Sequence, residues 1–230
     1  MEANGSNQKQ LTFDNQTDVE PVASPDGRYV VFVSYRSGGN AHIWRMNADG
    51  TDQKQLTFGN YEDDPQISPD GQWVVYHGEE SSNEYVWKIP INGGTPVKLT
   101  DGQAKGPIIS PDGKLIACFT KSVEANSLWN ISVFSSDSGQ ITKTFDVQPA
   151  TAQQWYSMRW SADGRALTYV VTHGGISNLW SQQLAGGATK QLTNFKEDQI
   201  YAFAWAGNGR QVACVRGSTT SKIVLIRNFR

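Results

Sequence analysis

Little in this chain of 230 residues belongs to the usual equipment of a catalytic or membrane protein. It holds two cysteines, three histidines and three methionines, too few for a thiolate cage or a ring of imidazole ligands. Neither sign of charge dominates, with 20 Lys and Arg against 22 Asp and Glu and a net charge of −2. Such a chain has no field that would draw nucleic acid or an anionic membrane. No apolar run approaches the roughly 20 residues that a membrane-spanning helix needs, so membrane insertion by this segment is not expected. The N-terminal residues Met1–Gln10 lack an apolar signal core. No Gly-x-Ser-x-Gly elbow and no His-Glu-x-x-His motif occurs.

What the chain does have is punctuation. Ser24-Pro25-Asp26-Gly27 returns as Ser68–Gly71 and Ser110–Gly113, then decays to Ser161-Ala162-Asp163-Gly164 and Ala206-Gly207-Asn208-Gly209. Counted at the third residue, the intervals are 44, 42, 51 and 45. A period of that length is one supersecondary unit that cannot bury its own faces and must stack on its neighbours. Proline presets φ for a tight turn, Asp bonds back to the backbone and Gly takes positive φ. Behind each turn lies a short apolar run, as at Tyr29–Val33, Trp73–Tyr76, Leu115–Phe119, Ala166–Val171 and Val212–Val215. These runs lack polar alternation, so both faces of that strand should be covered.

Each copy also has a short strand before the turn. A variable loop and a third strand with an aromatic anchor follow the run, as at Trp44, Trp87, Trp129 and Trp180. A second turn then leads to a polar strand such as Lys54-Gln-Leu-Thr57. Four short strands with no helical period make one blade of a β-propeller. The fold class expected is therefore all-β, a propeller of five four-stranded blades in one domain spanning 1–230. The blades cover about 14–58, 59–100, 101–147, 148–195, and 196–230 with 1–13. The last copy stops after its third strand, Lys222–Arg227, while Lys9-Gln10-Leu11-Thr12 is an unaccompanied fourth strand at the start. Pairing of the two would close the ring, remove its open edge and leave a monomer. The competing expectation is an open arc of a larger ring. Met1–Gln10 matches 46–55, so the chain starts inside a repeat, as a fragment or trimmed piece does.

Cys118 and Cys214 fall six residues after the equivalent positions Asp112 and Asn208. A whole repeat between them places them beyond the ~7 Å Cα limit of a disulfide, and both read as buried small hydrophobes. His42, His77 and His173 share no register position and read as surface or strand-end residues, so no metal ligand set and no cofactor is expected. Asn47–Asp52 reads as a turn. The candidate site lies on the loop face opposite the Pro-Asp-Gly turns. There acidic and aromatic residues gather: Asp18, Glu20, Tyr61, Glu62, Asp64, Trp155, Tyr156, Asp198 and Tyr201. Loops on a rigid scaffold are where recognition usually resides. Trp160 and Trp205 are expected to pack at the inner strand.

The turn unit, followed by Ile43-Trp44-Arg45-Met46-Asn47-Ala48-Asp49-Gly50 and Gln55-Leu56-Thr57, resembles the TolB-type, WD-like propeller repeat over nearly the whole chain. The part from Trp155–Trp160 to Arg230 also resembles the end of the sensor propeller of bacterial membrane serine/threonine kinases, although no kinase motif is present. The resemblance implies a periplasmic or extracytoplasmic setting, and a role as the sensor part of a larger bacterial receptor. The function expected is non-catalytic: a binding or scaffold propeller presenting its loop face to a protein, peptide or glycan. Two alternatives stand beside it. One is a carbohydrate-active or hydrolytic propeller using paired mouth carboxylates about 5–9 Å apart, and the other a truncated or engineered ring with no evolved ligand.

Overall fold

The computed structural model describes residues 4–121, 129–146, 158–206, 209 and 211–218. The repeated turn is built from one set of bonds. Ser24 Oγ donates to Asp26 Oδ1 at 2.6 Å and accepts the Tyr29 N–H at 2.9 Å. Gly27, at φ +70°, donates its N–H to the Ser24 carbonyl at 2.9 Å. The same bonds recur at Ser68, Ser110 and Ser161. The fourth copy thus keeps the geometry with Ala162 in place of proline. In the fifth, the Gly209 N–H still reaches the Ala206 carbonyl at 2.8 Å.

These turns organise eighteen strands among the described residues. The first sheet runs β1 (Asp18–Ala23), β2 (Tyr29–Ser34), β3 (His42–Asn47), β4 (Lys54–Gln55). The second runs β5 (Glu62–Ile67), β6 (Trp73–Glu80), β7 (Asn83–Pro90), β8 (Val97–Lys98). The third comprises β9 (Ala104–Ile109), β10 (Leu115–Lys121), β11 (Trp129–Ser135) and β12 (Ile141–Asp146). The fourth comprises β13 (Met158–Trp160), β14 (Ala166–His173), β15 (Ile176–Gln183) and β16 (Lys190–Gln191). A two-stranded sheet, β17 (Gln199–Trp205) and β18 (Val212–Gly217), follows. Every pairing is antiparallel and between chain neighbours.

The core lies between consecutive sheets, and strand alternation explains the unbroken apolar runs. In β6, Val74 and Tyr76 pack toward Val31, Val33 and Ile43 of the first sheet. Val75, between them, turns the other way, to Ile116, Cys118 and Phe134. In β10, Ala117 and Phe119 then face Met158, Leu167 and Tyr169. Successive residues point to opposite faces of a strand, so a strand sandwiched between two sheets needs no polar position. Trp160 reinforces one of these seams, its Nε1–H donating to the Ile108 carbonyl at 3.1 Å. The four third-strand tryptophans are half-buried rather than enclosed, Trp87, Trp129 and Trp180 covering the edges of two clusters. β18 departs from the expected two-sided cover. Val212 and Cys214 pack on the fourth sheet's side, whereas Val215 is 61% exposed.

Cys118 is buried, Cys214 is half-buried and both are free thiols, as their register requires. The segment around Leu11 is not a strand, yet it occupies the place of one. Gly93 approaches Leu56 of the preceding sheet, and Gly139 approaches the Leu99 carbonyl. Gly50 meets the carbonyl of Leu11 in the same way, and Lys9 Nζ caps the Asp49 carbonyl as Lys54 Nζ caps that of Asn92. The Gln10 side-chain amide donates to the Thr12 carbonyl, as Gln55 does to Thr57 and Gln191 to Thr193. Residues 9–12 therefore sit against the first sheet as an outer strand of a preceding blade does. The expected partner, Lys222–Arg227, lies outside the described residues, and those described do not close a ring.

Candidate functional site

A proline opens the site. In Glu20-Pro21, Asp64-Pro65 and Gly106-Pro107 the ring of proline disfavours right-handed helical backbone at the residue before it. That residue takes φ +53°, +53° and +64° respectively. At all three the strand register slips by a bulge, the device that re-aims side chains at barrel and blade mouths. Glu20, Asp64 and Gly106 consequently line one cavity of about 230 Å³, together with Arg159, Met158 and Gln66. Its walls are the inner strands β1, β5, β9 and β13.

The bulge carries the strands further than expected. Asp18, Glu20, Glu62 and Asp64, expected in loops, lie within β1 and β5. Glu20 Oε2 accepts the Asp64 N–H at 2.9 Å. Burial holds the Glu20 carboxyl above its ordinary range, against the pull of that bond. Asp64 is pushed up to about 9, first by burial and then by the charges of Asp63 and Glu20, with Arg159 and Lys105 acting the other way. Asp64 thus holds its proton more tightly than an ordinary carboxyl, in a mouth that also holds an arginine.

Beside it lies a pair absent from the neighbouring sheets. Asp63 and His77 are cross-strand partners, both buried, with His77 Nδ1 2.5 Å from Asp63 Oδ1. The corresponding pairs are Val19 with Val33 and Lys105 with Phe119. His77 Nε2 has no hydrogen-bond partner among the described residues, a state that costs roughly 1–3 kcal/mol when buried. Glu84 Oε1 stands 3.7 Å from it, and Lys105 Nζ bonds the other Glu84 oxygen at 2.9 Å. Ligand atoms of Asp63, Asp64 and His77 lie within 4.8 Å of one another.

The remaining candidates do not all converge. Tyr61 joins the cluster, its hydroxyl bonded to Tyr35 and Asp63, and the bond to Tyr35, then burial, raise its pKa. Both carboxylate oxygens of Asp18 accept from Arg36 Nη2, at 3.1 and 3.0 Å, a nitrogen that Asp14 shares. Glu62 is buried against His42 Nδ1 at 2.6 Å and accepts the Gly59 N–H. Asp198 sits 3.8 Å from Arg216, and Tyr201 is 50% exposed on β17. Trp155 and Tyr156 lie outside the described residues.

The histidines correct the sequence reading. His42 and His77 are buried and carboxylate-bonded, and only His173, at the end of β14, is exposed. His77, Lys105 and Arg159 are the site residues that sequence reasoning missed. The available signal was a comparison of copies: seven residues past the turn Asp, the first and third hold Val33 and Phe119, and the second holds His77.

Comparison with known proteins places this geometry in a family. The chain is 25% identical over 204 residues to the uncharacterized peptidase YuxL of Bacillus subtilis, covering 83% of this chain and 29% of that protein. It is 25% identical over 116 residues to the uncharacterized protein Atu1656 of Agrobacterium fabrum, covering 47% and 39%. The chain thus spans less than half the length of these curated relatives. Among solved structures, a protein named as a TolB from Agrobacterium tumefaciens superimposes with a TM-score of 0.69 at 21% identity, over 90% of this chain and 72% of that one. TolB from Acinetobacter baumannii gives 0.61 at 21%, over 75% and 42%. An acylaminoacyl peptidase of Pyrococcus horikoshii gives 0.60 at 11%, over 80% and 33%, so the fold by itself assigns no activity. The family model described as the TolB beta propeller domain matches residues 1–155, and with its recurring four-stranded antiparallel sheets the chain belongs to that family.

Proposed function

We propose that this chain is a non-catalytic binding propeller whose central mouth receives a segment of a protein or peptide partner. The observation that carries the reading is the cavity bounded by four inner strands, in which Glu20, Asp64 and Arg159 share one space. A concavity with a few convergent polar groups is the usual form of a binding site. Groups of both signs suit a peptide backbone and its polar side chains better than a uniformly charged polymer, and complementary charge selects partners.

The scaffold we propose is a closed ring of five blades, with residues 9–12 serving as fourth strand of the last. The placement of Leu11 against Gly50 supports it. A hydrolytic reading has one observation in its favour, the carboxyl of Asp64, raised by burial and by the charge of Asp63, beside Asp63 itself.

Random peptides displayed on phage and selected on the immobilised chain in EDTA supply a probe. Fluorescence anisotropy then compares the wild type with the double variant Glu20→Gly/Arg159→Leu and with Tyr201→Ala. Affinity is expected to fall at least about tenfold in the mouth variant and to persist in Tyr201→Ala. Undiminished binding by the mouth variant overturns the proposal. So does turnover of an oligosaccharide panel by the wild type that disappears in Asp64→Asn.

A further inference from the structure

The second sheet replaces an apolar cross-strand pair with Asp63 and His77, and the geometry points to a reason: we propose that Asp63, Asp64 and His77 bind one divalent transition-metal ion. This inference does not depend on which partner the mouth receives.

Three observations converge on it. The ligand atoms of these residues lie within 4.8 Å of one another, on adjacent strands of one sheet. One nitrogen and two carboxylate oxygens suit Zn²⁺ or Mn²⁺, whereas Ca²⁺ and Mg²⁺ favour all-oxygen shells. The carboxyls of Glu20, Asp63, Asp64 and Glu84 also crowd together here, with Lys105 and Arg159 the Lys and Arg side chains set against them among the described residues. Lys105 is already held by Glu84 and lies over the Trp129 ring at 4.7 Å.

The third observation is the buried His77 ring. With its proton on Nδ1, shared with Asp63 at 2.5 Å, Nε2 is left without a partner. A metal ion on Nδ1 takes the place of that shared proton between His77 and Asp63. The ring proton then resides on Nε2, facing Glu84 Oε1 at 3.7 Å. Closing that gap to about 3 Å would give the ring the outer carboxylate which metal-ligating histidines ordinarily have. Two ligand atoms on one ion with bonds of about 2.0–2.2 Å stand about 3.0–3.5 Å apart. Asp63 and His77 would have to separate by about 1 Å or less from their present contact.

Two variants keep the test independent of folding. The double variant Asp63→Val/His77→Val restores the apolar pairing that Val19 and Val33 make in the first sheet. Asp64→Gly installs the residue that the third sheet uses at that bulge, Gly106, also at positive φ. Chain stripped with EDTA is titrated with ZnCl₂ by calorimetry and with MnCl₂ by electron spin resonance, and long-range ¹⁵N spectra follow the His77 tautomer. The expected result is one ion per wild-type chain, with zinc moving the His77 proton from Nδ1 to Nε2. Binding is expected to be lost in the double variant and weakened at least about tenfold in Asp64→Gly. No binding to the wild type overturns the inference. Undiminished binding in either variant, or a tautomer unchanged by zinc, overturns it equally. Peptide binding in EDTA tests the mouth separately, so failure of one proposal leaves the other standing.

Discussion

Glu20 and Asp64 hold their side chains at the mouth at a backbone cost. Both lie at φ +53°, where the Cβ of an L-residue crowds the following carbonyl by roughly 1–2 kcal/mol. Asp tolerates this region better than a bulky residue does, and strain of this kind gathers at functional positions. The prediction belongs to the residue alone. Asp64→Gly is expected to be more stable than Asp64→Ala by about 1 kcal/mol, read from urea midpoints. A midpoint for the alanine variant at or above that of the glycine variant would contradict the assigned strain. Sequence showed the acids here and missed their partner. His77 gives no local sign of burial, since its environment is set by Asp63, fourteen residues earlier and opposite it across the strand pair.

At the scale of the element, the turn Asp is a hydrogen-bond acceptor that must stay ionised. Asp26 is held down to about 2, by the Ser24 hydroxyl first and then the Arg28 backbone N–H. The carboxyls of Asp70, Asp112 and Asp163 are likewise lowered, each first by its turn serine. A carboxyl whose folded pKa lies below its unfolded value of about 3.9 stabilises the fold above that value. Its contribution is lost as pH falls through the folded pKa. Urea midpoints are therefore expected to decline between about pH 4 and pH 2, and Asp70→Asn to flatten the decline. An equal slope in that variant would exclude the turn as the source. Ser68 Oγ makes two bonds, and Ser68→Ala is expected to lose about 1 kcal/mol. Here sequence was a sufficient guide, because the turn depends only on near neighbours along the chain. Ser161–Gly164 keeps it without proline for that reason.

The whole molecule depends on how closely one sheet approaches the next. A Cβ on Gly139 would lie 2.3 Å from the Leu99 carbonyl oxygen, at φ +70°. Both atoms of that clash are held by backbone, so Gly139→Ala is expected to cost at least about 2 kcal/mol. In a chain of this length that lowers Tm by about 4–8 °C, and an unchanged Tm would mean the sheets can part freely. The proposed closure has its own test. Deleting residues 1–13 should leave an open edge and promote self-association, measurable by sedimentation, whereas a stable monomer would remove the case for a closing strand.

The sequence by itself determined the repeat, its turns, the strand order within the four-stranded sheets and the burial of the first four apolar runs, though not of the fifth, where Val215 is exposed. The turns and strand order follow from contacts within one repeat unit, and the burial follows from unbroken apolar runs that need cover on both faces. Even the free thiols followed from register. Only the tertiary structure decided the site. The bulges at Pro21 and Pro65 turned expected loop acids into strand residues. Register across β5 and β6 set Asp63 opposite His77, and assembly of four sheets brought Glu20, Asp64 and Arg159 to one cavity. The physical reason is distance along the chain: Glu20 and Arg159 meet through packing between sheets, which no single repeat encodes.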